Sequence, residues 1–113
     1  MKKYAPEAGD FVWLDFDPAM GREQAGRRPA LVLSALQYNS RTGLMIAAPV
    51  TSHQKGYPFE VPLPISSQIS GVVLADHLKN VDWQERHAEF AGSASPEILR
   101  QVKERVRLLL QFD

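Results

Sequence analysis

From Phe11 to Phe16 (FVWLDF) almost every position is apolar, and the run lies between two turn signals, Gly9-Asp10 and Asp17-Pro18. An apolar run this short, bounded this way, predicts a strand covered on both faces, as in a small closed barrel. Ala30-Leu31-Val32-Leu33 predicts a second, central strand. Leu44 to Val50 predicts a third, limited in ladder bonding by Pro49 and ending in the hydroxyls of Thr51 and Ser52. Phe59 to Pro64 alternates, but Pro62 and Pro64 have no N–H to donate, which predicts a sheet edge. Gly71 to Ala75 is a further buried run that continues through Asp76-His77 into residues 79–82. Residues 35–43 predict a turn region with room for one helical turn.

The period then changes. Ser95-Pro96-Glu97 combines a capping hydroxyl, a proline in the first turn and an acid at the positive end of the helix dipole. Leu99, Val102, Val106 and Leu109 follow at three and four, widened by Ile98 and Leu110, while Lys103, Glu104, Arg105 and Arg107 belong to the solvated face. Together these elements predict a mainly β chain of about five antiparallel strands with a C-terminal helix. A small SH3-like barrel is the expected topology, as one domain over residues 1–113.

Composition narrows the class without changing that picture. A chain of 113 residues can bury one modest core. Its formal net charge is zero, so a polyanion would have to be held by a local cluster of Lys and Arg. There are no cysteines, which removes disulfides, thiolate metal sites and cysteine nucleophiles. The start, MKKYAPEAGD, lacks the apolar stretch of a secretory signal, and no apolar run reaches the length of a membrane span. A cytoplasmic protein is the expectation.

The candidate chemistry lies between the first two strands. The connection 18–28 carries Arg22, Glu23, Gln24, Arg27 and Arg28, bracketed by Gly21 and Gly26. Long polar connections in small domains are more often functional than decorative. Pro29 forces Arg28 into extended geometry, which fixes the guanidinium at the mouth of a strand. Thr51 ends another strand. An Arg fork beside a hydroxyl suits a phosphate, and Glu23 is a candidate base. Asp15 and Asp17 share a strand face and could instead hold magnesium, although Asp-Pro is also a common turn opening. No P-loop, GxGxxG or nucleophile elbow is present, and His53, His77 and His87 lack metal-ligand spacing.

Four segments taken in order carry a resemblance: GDFVWLDFDPAMGREQAGRRPALVLS, APVTSHQKGYPFEVPL, GVVLADHLKNVDW and SPEILRQVKERV. The chain resembles, over about Tyr4 to Leu110, the MazF/PemK family of toxin endoribonucleases of bacterial toxin–antitoxin pairs. The resemblance implies a metal-independent enzyme without cofactor. It would cut single-stranded RNA at short sequences, leave a 2′,3′-cyclic phosphate and a 5′-hydroxyl, and stop translation and growth. It places the essential arginine on Arg28, the essential threonine on Thr51 and the loop glutamate on Glu23. RNA binding is expected from Phe16, Ser52, Lys55, His77, Lys79 and Arg86, with Lys79 and Arg86 also readable as ordinary surface charges. His77 stands where many relatives carry glutamine, so a target sequence different from that of better-known relatives is expected. The implied partners are a second copy of the chain and a MazE-like antitoxin that displaces the 18–28 lid, the complex binding operator DNA through the antitoxin. The same fold also serves CcdB-like gyrase poisons, which need a C-terminal Trp-Gly-Ile; here the end is Leu110-Gln111-Phe112-Asp113.

Overall fold

The computed structural model describes residues 3–18 and 20–112; Met1, Lys2, Ala19 and Asp113, which the sequence reading touched, lie outside the described residues. The elements are β1 (Asp10–Asp15), β2 (Arg27–Val32), α1 (Leu36–Thr42), β3 (Leu44–Thr51), β4 (Glu60–Pro62), β5 (Val72–Leu74), β6 (Lys79–Asp82), β7 (Glu89–Ser93) and α2 (Pro96–Leu110). Every pairing is antiparallel, in the order β4-β5-β3-β2-β1-β7, with β6 also on β3. Among the described residues the ladder ends at β4 and β7, so the sheet is barrel-like without closing. The proline-bearing β4 is at the edge, where a missing N–H costs no ladder bond.

The dense apolar runs have a simple cause. The central strands are covered on both faces. Phe11, Leu31, Ala48 and Val50 point into one core with Ile98 and Val102 of α2. Val12, Leu14, Ala30, Val32, Met45 and Ala47 point into a second core with Val81 and Trp83. The period-two alternation of a strand thus sorts neighbouring apolar residues into opposite cores. Helix α2 is capped by Ser95, whose Oγ accepts the Ile98 N–H at 3.2 Å. Its stripe is covered only in its first half: Leu109 and Leu110 remain 37% and 48% exposed. No helix among the described residues is long and apolar enough to cross a membrane.

Three expectations need correction. Residues 35–43 form a seven-residue helix, α1, ended by Gly43 at φ 75°. Its fully buried Asn39 donates to Pro6 O and Ser34 O and accepts from the Ser34 hydroxyl, while the Asn39 carbonyl accepts from the Trp83 indole. These long-range bonds supply the order that local periodicity did not signal. The run 71–82 is two strands: β5 pairs with Val50 and Thr51, and β6 with Leu44 to Ala47. Strand β7 was not anticipated. Its sequence, EFAGS, has one large apolar residue, and that residue, Phe90, is 52% exposed. Backbone pairing with β1, not burial of side chains, makes it a strand.

Candidate active site

Two adjacent arginines open β2, and the fold gives them opposite tasks. The Arg27 guanidinium bonds Asp15 Oδ1 at 2.8 Å, His87 O at 2.9 Å and Glu89 Oε1 at 3.1 Å. It ties β1, β2 and β7 together at their common end. Asp15 is held below the usual carboxylate range, first by the bond from Arg27 and then by His87, whose Nδ1 lies 2.7 Å away. Arg28 donates only its Nε, to Ala25 O at 3.0 Å, and among the described residues no carboxylate pairs with it. Its terminal nitrogens are available. The register explains the difference. Arg27 stands across the ladder from Asp15, whereas Arg28 stands across from Leu14 and meets no acid there.

Thr51 ends β3 and is buried. Its Oγ1 accepts the His53 N–H at 3.2 Å. With an oxygen lone pair so engaged, the hydroxyl proton is free to donate outward. Gly71 packs on the backbone of the same residue: a Cβ there would stand 2.3 Å from Thr51 O. Arg28 and Thr51 line one hollow of about 380 Å³, with Trp13, Ser52, Gln68 and Ser70 among its other walls.

Thr51 also borders a second hollow of about 590 Å³, lined by Arg22, His53, Lys55, Glu60, Asp76 and His77 among others. Glu60 shapes this side. It is 5% exposed, and its carboxylate accepts the N–H groups of Lys55 and Gly56 at 2.8–3.2 Å. The loop carrying His53 and Lys55 is thereby fixed at the rim. Burial, then Asp76, raises the Tyr57 hydroxyl's affinity for its proton, which it shares with Asp76 Oδ1 at 3.3 Å. A buried threonine flanked by two hollows can hold a phosphodiester with one nucleotide on either side.

The remaining site candidates divide. Ser52 lies in the first hollow; Lys55 and His77 lie in the second. Phe16 is 1% exposed and sits in the core beside Met45 and Val81, so it cannot stack on a base; this corrects the sequence reading. Arg86 turns inward to the carbonyls of Asp15 and Asp17 at 3.1 and 3.2 Å and acts as a clamp on the base of the 18–28 connection. Asp17 Oδ1 accepts the Gly26 N–H at 3.0 Å from the other end of that connection. Both carboxylates considered for magnesium thus hold protein donors. Glu23 does not join Arg28 and Thr51. It pairs with Lys79 at 2.6 Å across a separate hollow, and the bond from Lys79 lowers its affinity for a proton. Glu60 and Gly71 escaped the sequence reading. A lone acid between apolar residues (FEV) and a glycine just before an apolar run (GVVL) were the available signals.

Residues 7–110 match the family described as PemK-like, MazF-like toxin of type II toxin-antitoxin system. The chain is 44% identical over 110 residues to the endoribonuclease toxin MazF of Escherichia coli K12, covering 97% of this chain and 98% of that protein. It is 35% identical over 116 residues to the endoribonuclease toxin ChpB of the same strain, covering 98% and 99%. Among solved structures it is similar to MazF of Deinococcus radiodurans, with a TM-score of 0.94, 54% identity, and 97% of this chain and all of that one covered. A MazE–MazF complex of the same organism aligns with a TM-score of 0.87 at 50% identity, over 98% and 100% of the chains.

Proposed function

Since this chain belongs to the PemK-like, MazF-like family of type II toxin–antitoxin toxins and is an endoribonuclease, we propose that it cuts single-stranded RNA at short specific sequences by metal-independent transesterification, and so inhibits translation and growth. The observation that carries this reading is the pairing of an uncommitted Arg28 with a buried, backbone-anchored Thr51 in one hollow. In the reaction the ribose 2′-oxygen attacks the neighbouring phosphorus and loses its proton. The P–O5′ bond breaks, and the 5′-oxygen takes up a proton. The products are a 2′,3′-cyclic phosphate and a 5′-hydroxyl. The Arg28 fork stabilises the charge that develops on the phosphorane, and the Thr51 hydroxyl orients a phosphate oxygen. Ser52, Lys55 and His77 contact the flanking nucleotides. Cleavage of a long RNA in EDTA, with mapping of cut sites and of end chemistry, tests the reading. A 3′-hydroxyl with a 5′-phosphate would overturn it.

Glu23 takes part as the proton acceptor only after it leaves Lys79. An RNA phosphate competes for the Lys79 ammonium and exchanges for the carboxylate there, which frees the acid and the 18–28 lid together. A depressed carboxylate pKa has a definite sign. The latch is fully formed above the ordinary glutamate value and is lost as pH falls through the lowered one. Lys79→Ala should therefore move the Glu23 titration, followed by carbon-13 NMR, back up toward the ordinary glutamate value. Glu23→Gln should lower kcat by about 10²–10⁴-fold. An unchanged Glu23 titration in Lys79→Ala removes the latch, and an unchanged kcat in Glu23→Gln removes the base.

The chain acts as a homodimer. An apolar hollow of about 360 Å³ lined by Leu33, Ile46, Leu78, Val106, Leu110 and Phe112 lies where the α2 stripe runs out of cover. Sedimentation of a monomer at micromolar concentration would refute this. A MazE-like antitoxin occupies the RNA groove and lifts the lid, and the complex binds operator DNA through the antitoxin. The MazE–MazF complexes among its structural relatives support the partner.

A further inference from the structure

We propose that the Trp13–Gln68 side of the first hollow reads one of the two bases flanking the cut, and that it selects a base with a carbonyl at pyrimidine C4 or purine C6, uracil or guanine, over adenine or cytosine. This deepens the RNA-cleaving reading of the same site and rests on it. The stacking surface comes from an unexpected place. With Phe16 in the core, Trp13 becomes the aromatic beside the phosphate site. It is 39% exposed on a strand whose neighbours Phe11, Val12 and Leu14 are completely buried. Its partner across the ladder is Pro29, the residue after Arg28. The indole therefore lies beside the point where Arg28 departs from the sheet, and it lines the hollow that Arg28 and Thr51 share. A half-exposed indole next to a phosphate-binding fork offers what an unstacked base needs.

Gln68 supplies the selectivity. The Ser93 N–H donates to Gln68 Oε1 at 3.2 Å. An N–H cannot accept from the amide nitrogen, so this bond fixes which way round the amide stands. The oxygen is turned to β7, and the amide NH2, a pure donor, is the polar group left for the hollow. The seat is shaped for this side chain. Gly92 lies beneath it, and a Cβ there would come within 2.2 Å of Oε1 and 3.0 Å of Cδ. A fixed donor matches O4 of uracil or O6 of guanine, whereas adenine and cytosine present an exocyclic amine at the equivalent position. The volume of about 380 Å³ falls in the range of small-ligand pockets, roughly 300–1,000 Å³.

The experiment uses the full chain and short RNAs that contain one mapped cut site. Each base flanking the cut is varied in turn through all four, and then replaced by an abasic ribose. The wild type should prefer uracil or guanine at one flanking position by about tenfold, and Gln68→Ala should abolish that preference. Gln68→Glu keeps an oxygen for Ser93 but turns a donor into an acceptor, so it should reverse the preference toward adenine or cytosine. Gly92→Ala leaves Gln68 chemically intact yet fills its seat, and should reproduce the cleavage map of Gln68→Ala; because the φ of +150° strains any L side chain, its melting temperature should fall, and the maps are compared well below that transition. Trp13→Ala should raise KM about tenfold or more for the normal RNA and be indifferent to the abasic substitution, with Trp13→Phe restoring most of the loss. Equal cleavage of all four bases at both positions by the wild type, an unaltered preference in Gln68→Glu, or an abasic penalty in Trp13→Ala as large as in the wild type would each overturn the proposal. Arg28→Ala separates the two levels. If it cleaves as well as the wild type, the active site itself is misplaced; if it is inactive while the Gln68 and Trp13 variants keep the wild-type map, only the base-reading site fails.

Discussion

Arg28→Ala should lower kcat/KM for RNA cleavage by on the order of 10³-fold or more, equivalent to about 4 kcal/mol of barrier, and leave the melting temperature within error of the wild type. Both halves of that expectation come from the contacts. Arg28 makes one exposed bond, to Ala25 O, and no ion pair among the described residues, so the fold loses little with it. The transition state loses a forked cation held ready beside Thr51. Arg28→Lys should recover only a small part, because an ammonium cannot present two parallel donors to a phosphorane. Arg27→Ala makes the contrast. It removes the bonds to Asp15, Glu89 and His87 O, so its effect should appear in stability before catalysis. Single-turnover cleavage with matched thermal melts decides between them. An Arg28→Ala enzyme with near wild-type rates, or with a collapsed melting temperature, would show that the two arginines have been given the wrong tasks.

The second large effect is expected far from any charged group. Gly71→Ala would set a Cβ 2.3 Å from the Thr51 carbonyl oxygen and 3.0 Å from the Thr51 carbonyl carbon. Both are backbone atoms, so no side chain can swing aside. The φ of +115° adds strain for any L side chain. Overpacking of this kind costs about 1–3 kcal/mol, and strained backbone adds a similar amount, so a fall of roughly 10 °C in melting temperature should follow. Activity should fall further than stability, measured well below the melting transition. The residue pushed aside is Thr51, whose hydroxyl orientation depends on the His53 N–H at 3.2 Å. A Gly71→Ala protein with wild-type melting and wild-type kcat would mean that β5 can retreat from β3 without moving the site.

These two residues also show where the sequence could be read and where it could not. Arg28 could be chosen over Arg27 because Pro29 acts on its immediate neighbour, a local effect. That Arg27 is consumed by Asp15, His87 and Glu89 depends on partners 12, 60 and 62 positions away, and no window along the chain contains them. Phe16 failed for the same reason. An aromatic at the end of a strand, next to a polar loop, looks available for stacking. Whether it faces water depends on the parity of the strand, and that parity sends Val12, Leu14 and Phe16 into one core and leaves Trp13 on the other face.

The lid was legible as a polar connection between two strands, but its anchors were not. Arg86, read as an RNA contact, clamps the carbonyls of Asp15 and Asp17, and Lys79, read the same way, holds Glu23. In each case the residue type was right for a phosphate. The fold offered it an internal acceptor instead.

By itself the sequence determined what short-range physics controls: that the dense apolar runs are strands, that the proline-bearing one lies at the edge, where α2 is capped, and that Arg28 is held extended before Pro29. The resemblance to the family over nearly the whole chain implied Arg28, Thr51 and Glu23 as site residues. Only the tertiary structure decided which charges are free and which are spent. Ion pairs and the contact of Gly71 with Thr51 form between strands brought together by ladder pairing, and their strength falls off within a few ångströms. Positions distant along the chain must first be folded side by side before chemistry can distinguish them.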